Sequence, residues 1–410
     1  MDVGFFSREE LKTIASSPMI SYVPRCGACG LKDNCNSPQL PVVGQGKMEI
    51  LIIGKAPGEH EDLHGRQWIG TSSQWFAKEL QSNGILMQRD CWATNSLICH
   101  PKGMRVTEKQ MESCRPQIIG EIETRKPRLI FLVGEEAVKS VLGHYWQKNT
   151  GGIERWEGFR IPSRTLNAWI CPVKHPASLF RREDKTTKVR EVRLRNQINE
   201  AAQLLKNQDR PWDDVPDYRK NVRIVYEEDA RSAIRRFREK GDPVSFDYET
   251  NRLKPDPDDA EIVCASISDG ETTVAFPWTR TIIPEFSDLL RSSVAKIGFN
   301  VKFEERWTRK ILGHGVRNWQ WDGMLAAHVI DNRPGICSLN FQVFALFGLP
   351  PYDYQTKPFL ESEGSGVNRI RDLDPERLMI YCGLDSLMEH HVWHHQKKEI
   401  ERIAAGQTDL

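Results

Sequence analysis

The sequence predicts an α/β protein built as two domains. Three observations predict it. Buried-strand patterns alternate with helical ones through the first half. The composition then breaks at 207–221, where two prolines and four aspartates crowd together. A second strand–helix–strand series starts at Val222. At 410 residues the chain is also longer than one hydrophobic core usually grows.

The elements follow in order. Residues 4–16 read as a helix, with Ser7 as N-cap, Glu10 three residues on, and Leu11 and Ile14 on one face. The thiol pair Cys26-Gly-Ala-Cys29 comes next, with Cys35 nearby as a spare. Glu49 to Gly54 is a buried strand ending in the glycine turn Gly54-Lys55-Ala56-Pro57-Gly58. Glu59-His-Glu61-Asp62 and Gly65-Arg-Gln-Trp68-Ile-Gly70 lead into a helix over 71–83. Thr71 or Ser72 would cap that helix, and Trp75, Phe76 and Leu80 form its apolar face. A strand from Cys91 to Leu97 runs into a loop bracketed by Cys99 and Cys114. Thr107 caps a helix through Glu121, and Arg128 to Gly134 is another buried strand. Cys171-Pro-Val-Lys-His175-Pro-Ala-Ser-Leu179-Phe180 precedes a charged helix, Arg182 to Leu205. Strands alternating with helices imply a mostly parallel sheet covered on both faces.

Past the 207–221 linker, a strand Val222–Tyr226, a helix ending near Lys240 and a strand Val244–Tyr248 open the second domain. A hairpin (262–268, 273–276) and further helices follow. The expected domains are 1–206 and 222–410, with no repeat between them.

The charge balance, 57 Lys+Arg against 56 Asp+Glu, excludes neither nucleic acid nor protein partners and makes any basic surface local. Ten cysteines are too few for a disulfide scaffold. The N-terminus lacks a basic segment followed by an apolar run, and no stretch of about 18 apolar residues could span a membrane. The expectation is a reduced, cytoplasmic protein of a bacterial or phage-infected cell, in which clustered cysteines mean metal. Cys26, Cys29, Cys99 and Cys114 together make a four-thiolate set that suits a tetrahedral zinc or a 4Fe–4S cluster. Lys102, Arg105 and Lys109 place cations in the same loop, where a phosphate backbone could pass. A second basic run, which includes Lys174, Arg181, Arg182, Arg190, Arg193 and Arg195, reads either as a solvated helix face or as DNA contact.

Six motifs, in order, carry a resemblance. They are Gly-Lys-Ala-Pro-Gly (54–58), Gly-Arg-Gln-Trp-Ile-Gly (65–70), Thr-Asn-Ser-Leu-Ile-Cys-His-Pro (94–101), Cys114-Arg-Pro, Lys126-Pro-Arg-Leu-Ile-Phe-Leu-Val-Gly134 and His175-Pro-Ala-Ser178. Over roughly residues 20–205 the chain resembles the iron–sulfur, family 4 uracil-DNA glycosylases. The resemblance implies a three-layer glycosylase fold and a 4Fe–4S cluster on the four cysteines, structural in role. Such an enzyme extrudes its base into a fitted pocket. The glycine-rich turn, with Gly54, Lys55, Ala56 and Gly58, brings backbone N–H groups against base and sugar. Trp68 stands where the family stacks an aromatic on the base, and Leu179 where it wedges the emptied stack. Asn95 would donate to one uracil carbonyl and accept from the ring N–H, a pattern cytosine cannot complement. His175 would stabilise the departing base, and Glu61 would position water or stabilise the sugar cation. Two residues depart from the family. Lys55 replaces a usual Glu, and Ala56 leaves no carboxylate where the most active relatives keep an aspartate. A non-excising, uracil-sensing accessory subunit is therefore the alternative.

The second constellation starts with Asp247 and Glu249, two apart on a strand and so on one face. Gly298-Phe-Asn300-Val-Lys302-Phe-Glu304 adds a carboxylate, and Tyr381 and Asp385 stand at helical i, i+4 spacing. In this order the motifs resemble the proofreading exonuclease domain of DNA polymerase I, of the DEDD type with a tyrosine, over about 222–400. The segment Asp322 to Asp331 fits that family's internal helix. The resemblance implies a ribonuclease-H-like fold and 3′→5′ nucleotide removal. Converging carboxylates would repel unless cations bind there, and two Mg2+ or Mn2+ ions about 4 Å apart would satisfy them. Asp247, Glu249, Asp385 and Glu304 (Asp in the family) are the expected ligands. Tyr381 would orient water, and Asn300 and Lys302 would meet the DNA. With the chain stopping at Leu410, a separately encoded polymerase is the expected partner, beside DNA carrying uracil or 3′ ends.

Overall fold

The computed structural model describes residues 22–103, 105–146, 149–180, 186–362 and 366–406. The helix expected at 4–16 and the basic residues Arg181 and Arg182 lie outside them. The chain divides into two compact units at Val215/Pro216, with Phe344–Pro350 grouped with the first.

The first unit holds a five-stranded sheet: β1 (Ile50–Gly54), β2 (Cys91–Asn95), β3 (Leu129–Val133), β4 (Ile161–Ser163) and β5 (Ala168–Val173), in the order β2-β1-β3-β5-β4. Four strands are parallel, and β4 runs antiparallel beside β5. Every residue of β1 and β3 is buried, as the continuous Ile/Leu/Val runs require of strands covered on both sides. Ile50, Ile52, Leu129 and Phe131 pack with Phe76 and Leu80 of the helix Thr71–Ser82 and with Leu194 and Ile198 of the helix Thr187–Asn207. Alternation sends Leu51, Ile53, Ile130 and Leu132, also buried, to the opposite face.

Two details differ from expectation. The helix Thr71–Ser82 is capped by Gly70 and not by Thr71 or Ser72, because the Gly70 N–H is taken by the Glu61 side chain. The helix Glu108–Arg125 is capped by Thr107 as expected, in a capping box with Gln110, but continues past Glu121 to Arg125. Propensity does not stop a helix whose Ile118, Ile119 and Ile122 are buried.

The second unit is built on β6 (Val222–Ile224), β7 (Val244–Thr250), β8 (Ile262–Ser268), β9 (Thr273–Pro277), β10 (Lys296–Gly298) and β11 (Trp319–Asp322), ordered β11-β10-β7-β8-β9-β6. β7, β8 and β9 form an antiparallel meander, while β10 and β11 join parallel beside β7. The long helix Pro375–Ala404 lies close on this sheet because the contact is made of small groups. The Ser245 hydroxyl donates to Ser386 O (2.5 Å) and that of Ser266 to Cys382 O (2.8 Å). A Cβ on Gly383 would come within 2.4 Å of Val222. The helix is thus fixed in rotation, and Tyr381, Asp385 and Glu389, at i, i+4 and i+8, share the face turned to β7. No helix among the described residues is long and apolar enough to cross a membrane.

Candidate functional site

In the first unit, the carboxyl ends of β1, β2, β3 and β5 deliver Gly54, Asn95, Gly134 and the His175 segment to one edge, where open α/β sheets bind ligands. A pocket of about 320 Å3 opens there, lined by Ala56, Gly58, Glu61, Trp68, Asn95 and His175 among others. The glycine turn is zipped to the chain after β2: Ser96 and Leu97 N–H donate to the Gly54 and Lys55 carbonyls at 2.8 and 3.1 Å. Glu61 braces the turn from the other side. Its buried carboxylate accepts from the Gly58, Ile69 and Gly70 N–H groups at 3.1, 3.0 and 2.8 Å. Both oxygens are therefore engaged in holding the two glycine loops together.

Asn95 pairs in register with Gly54, and a Cβ at Gly54 would lie 2.4 Å from Asn95 Oδ1 and 3.0 Å from the Trp68 ring. The glycine is needed for this close approach. Trp68 holds a left-handed backbone (φ 60°), an arrangement that costs a bulky residue about 1–3 kcal/mol. The cost is offset by its indole N–H, which donates to Thr94 O at 2.7 Å, and by an edge contact with Phe76. Trp68 is at once core and pocket wall. The Ala177 N–H donates to His175 Nδ1 (3.1 Å), so the neutral ring carries its proton on Nε2 as a donor.

Three sequence-selected residues sit differently. Lys55 turns its side chain to Glu136, Nζ to Oε1 2.6 Å, and is not among the pocket's lining residues. Leu179 is buried in the core, and its neighbour Phe180 is 52 % exposed, because one residue along a helical turn rotates the side chain by about 100°. Of the two, only Phe180 presents its ring to solvent. Lys174 and Arg193 pair with Glu157, and Arg195 with Glu79 and Glu191, so much of the second basic run is internally neutralised. Lys102 and Arg105 are exposed.

Cys26, Cys29, Cys99 and Cys114 line one small cavity with Pro24, Leu31, Lys32, Leu97, Ile98 and Ser113. Gln39 N–H donates to Cys99 Sγ (3.3 Å), and its side-chain amide donates to Cys26 Sγ (3.1 Å). Burial pushes the Cys99 thiol up to about 12 and the Cys114 thiol up to about 11. A metal would reverse that by drawing the protons off. Four convergent sulfurs, two with N–H donors and none opposed by a carboxylate in the lining, fit an all-thiolate metal centre.

In the second unit, Asp247 and Glu249 on β7 face Asp385 and Tyr381 on the long helix, and Glu304 enters from the helix Lys302–Leu312. Asp247 Oδ2 and Glu304 Oε2 are buried with no hydrogen-bond partner among the described residues. Burial and the neighbouring carboxylates raise the pKa of Asp247, Glu249 and Glu304 well above the ordinary range. Orphaned, mutually repelling carboxylate oxygens of this kind fit divalent cations. Asn300 is held in the left-handed region (φ 64°), its N–H donating to Asp322 Oδ1 at 3.0 Å, and Lys302 is exposed.

Sequence reasoning missed three residues. Glu389, 5 % exposed and with Oε2 equally unpartnered among the described residues, is a fifth carboxylate, and the i+4 step from Asp385 signalled it. The Tyr352 hydroxyl donates to Asp385, a contact between distant segments with no local signal. Gln67, fully buried, donates to the Leu40 and Pro41 carbonyls and accepts from Asn95.

Family models agree with this division. One for the uracil DNA glycosylase superfamily matches residues 41–202, and one for a 3′-5′ exonuclease matches 222–401. The type-4 uracil-DNA glycosylase of Saccharolobus solfataricus is 31 % identical over 163 residues, 38 % of this chain and 73 % of that protein. That of Thermotoga maritima is 27 % identical over 209 residues, 50 % of this chain and 99 % of that one. That of Archaeoglobus fulgidus is 27 % identical over 167 residues, covering 40 % and 82 %. With the pocket inside the first matched stretch and the carboxylate cluster inside the second, the chain belongs through its first unit to the type-4 uracil-DNA glycosylases and carries a 3′-5′ exonuclease domain behind it.

Proposed function

We propose that this protein hydrolyses the N-glycosidic bond of uracil in DNA with its first unit and removes nucleotides from DNA 3′ ends with its second. The observation that carries the first activity is the convergence of Asn95, Trp68 and a His175 donor on one pocket between two braced glycine loops. In that pocket Trp68 stacks on the extruded base and Asn95 reads its edge. As the bond from sugar C1′ to base N1 breaks, the electron pair stays on the base. The Nε2–H of His175 then meets the charge growing on the base carbonyl. Water adds to C1′ on the open side and gives one proton to solvent, from which the released base anion takes one up, while Glu61 keeps the loops in place.

The thiol centre is a 4Fe–4S cluster on Cys26, Cys29, Cys99 and Cys114, with the structural task of tying the 99–114 loop to the N-terminal segment. In the second unit, Asp247, Glu249, Glu304 and Asp385 hold Mg2+ or Mn2+, which supplies stabilisation of the attacking and leaving oxygens of the phosphodiester. Tyr381, kept protonated by burial, orients the attacking water. Asn300, Lys302, Lys102 and Arg105 contact the DNA backbone. Because the exonuclease resembles a proofreading domain, it serves a DNA polymerase. Co-purification with a replicative polymerase and a higher error rate for Asp247→Ala support that partnership, and the absence of both removes it.

The test of the two activities is one incubation of purified protein with an end-labelled, uracil-containing strand. Alkali-sensitive scission at uracil in EDTA and a 3′ ladder on adding Mg2+ are the expected results. Uracil-preferring binding without scission gives the sensing alternative, to which the carboxylate-free Ala56 position points.

A further inference from the structure

An asparagine cannot by itself tell uracil from cytosine. Its carboxamide is nearly symmetric in shape, and a half-turn about its last side-chain bond exchanges the acceptor and the donors. One orientation complements uracil, which offers a ring N–H beside a carbonyl. The other complements cytosine, which offers a bare ring nitrogen beside an amino group. Whatever fixes the orientation of Asn95 therefore fixes the base.

In this chain the orientation can be read from the main chain inward. Gln67 is fully buried, and its Nε2 lies 2.8 Å from Leu40 O and 2.9 Å from Pro41 O. Peptide carbonyls only accept, so the nitrogen of Gln67 must be the atom on that side. Its Oε1 then points the opposite way, 2.7 Å from Asn95. An amide oxygen also only accepts, so the atom of Asn95 that faces it must be Nδ2. Asn95 Oδ1 is thereby left over Gly54, the one residue of β1 without a Cβ to collide with it. Turning Asn95 over would press two oxygens together in a site that excludes water, which is strongly unfavourable. The second loop member, Trp68, donates to Thr94 O and keeps Gln67 from moving as the pocket fills.

We propose that Gln67 is the positioning residue that makes the first pocket selective for uracil over cytosine, by transmitting the polarity of the Leu40 and Pro41 carbonyls to Asn95. The inference rests on the reading of this pocket as a uracil site. Gln67 touches no base, and its effect is carried entirely by the amide next to it.

The test compares wild type with Gln67→Met and Gln67→Lys on strands carrying a single uracil or a single cytosine. Gln67→Met removes the relay and leaves two carbonyls unpaired. Gln67→Lys still donates to those carbonyls but offers Asn95 no acceptor, so it removes the lock; because it also buries a charge, its melting transition is measured beside its rates. The readout is the ratio of uracil to cytosine excision rates, which a merely destabilised protein would leave unchanged while both rates fell together. The expected result is a ratio lowered roughly tenfold to a hundredfold, with cytosine release appearing in Gln67→Lys. A ratio within twofold of wild type in variants that keep the wild-type melting transition overturns the proposal. A wild type that releases no uracil overturns the functional reading, and the proposal falls with it.

Discussion

The ammonium of Lys55 lies 2.6 Å from the carboxylate of Glu136, in the first turn of the helix that follows β3. The residue that departs from the family at the glycine turn is thus paired outward, to a partner also favoured by the helix N-terminus. The pair is partly exposed and contributes about 0–1 kcal/mol. Lys55→Ala is expected to leave uracil excision within about threefold of wild type, as for a residue off the pocket wall. Lys55→Glu, which sets two carboxylates against each other, should lower stability by about 1 kcal/mol, without a gain in rate. Excision rates and melting curves of the two variants decide the matter. A tenfold rise in either variant would make Lys55 the brake that the departure from the family suggests.

Phe180 and Leu179 separate by burial. Leu179→Ala removes a core side chain and should cost about 2–5 kcal/mol of stability. Phe180→Ala should leave the melting transition in place and weaken excision from double-stranded substrates by about tenfold or more, with a smaller loss on single strands, where no stack needs filling. Equal losses on both substrates would remove the wedge role.

This pair also shows where sequence stops being legible. The parallel sheet, its buried strands and the edge that collects Gly54, Asn95 and His175 follow from apolar runs and glycine turns, which are local signals. Which of two neighbours on a short helical turn is exposed is settled by tertiary packing, and the motif does not report it. β4, β5, β10 and β11 are not legible in the sequence: three of them are only three or four residues long, and β5 carries Pro172 inside its apolar run. In the second unit the i, i+4 spacing of Tyr381 and Asp385 was enough to find two groups, and one more step would have found Glu389. Gln67 and Tyr352 act through contacts to residues 26 to 33 positions away, and no periodicity reports such pairs.

The carboxylate cluster of the second unit carries a signed pH dependence. The folded pKa values of Asp247, Glu249, Glu304 and Glu389 are raised by burial and by one another. The folded state therefore holds more protons than the unfolded chain between the ordinary carboxylate range and these raised values. Stability from these groups is fully present below the unfolded pKa and is lost as pH rises through the folded ones. In EDTA the second unit should melt at progressively lower temperature as pH rises across that window. Mg2+ should flatten the slope, because cations replace the protons. Glu304→Gln should raise the metal-free melting temperature at neutral pH and weaken Mg2+ stabilisation. If Glu304→Gln lowered the metal-free stability, the carboxylate would be held by a partner and not by repulsion awaiting a cation.

The thiol centre and the base pocket are joined through three consecutive residues. Gln39 donates to Cys99 and Cys26, Leu40 N–H donates to Ile98 O at 2.8 Å, and the Leu40 and Pro41 carbonyls receive Gln67. Cys99→Ser should therefore affect more than the loop between Cys99 and Cys114, since binding energy at a metal centre is folding energy for the segment that wraps it. Purified protein is expected to carry about four iron and four sulfide per chain, and stoichiometric zinc instead would change the identity of the centre. In Cys99→Ser, excision should fall by at least about tenfold, because the segment that orients Gln67 and Asn95 is freed. The Mg2+-dependent 3′ ladder, made by a unit with its own core, should stay within about threefold of wild type. Measuring both products on one labelled strand separates a local loss from general unfolding. A parallel fall in the two activities would mean that the thiol centre supports the whole chain and not the pocket beside it.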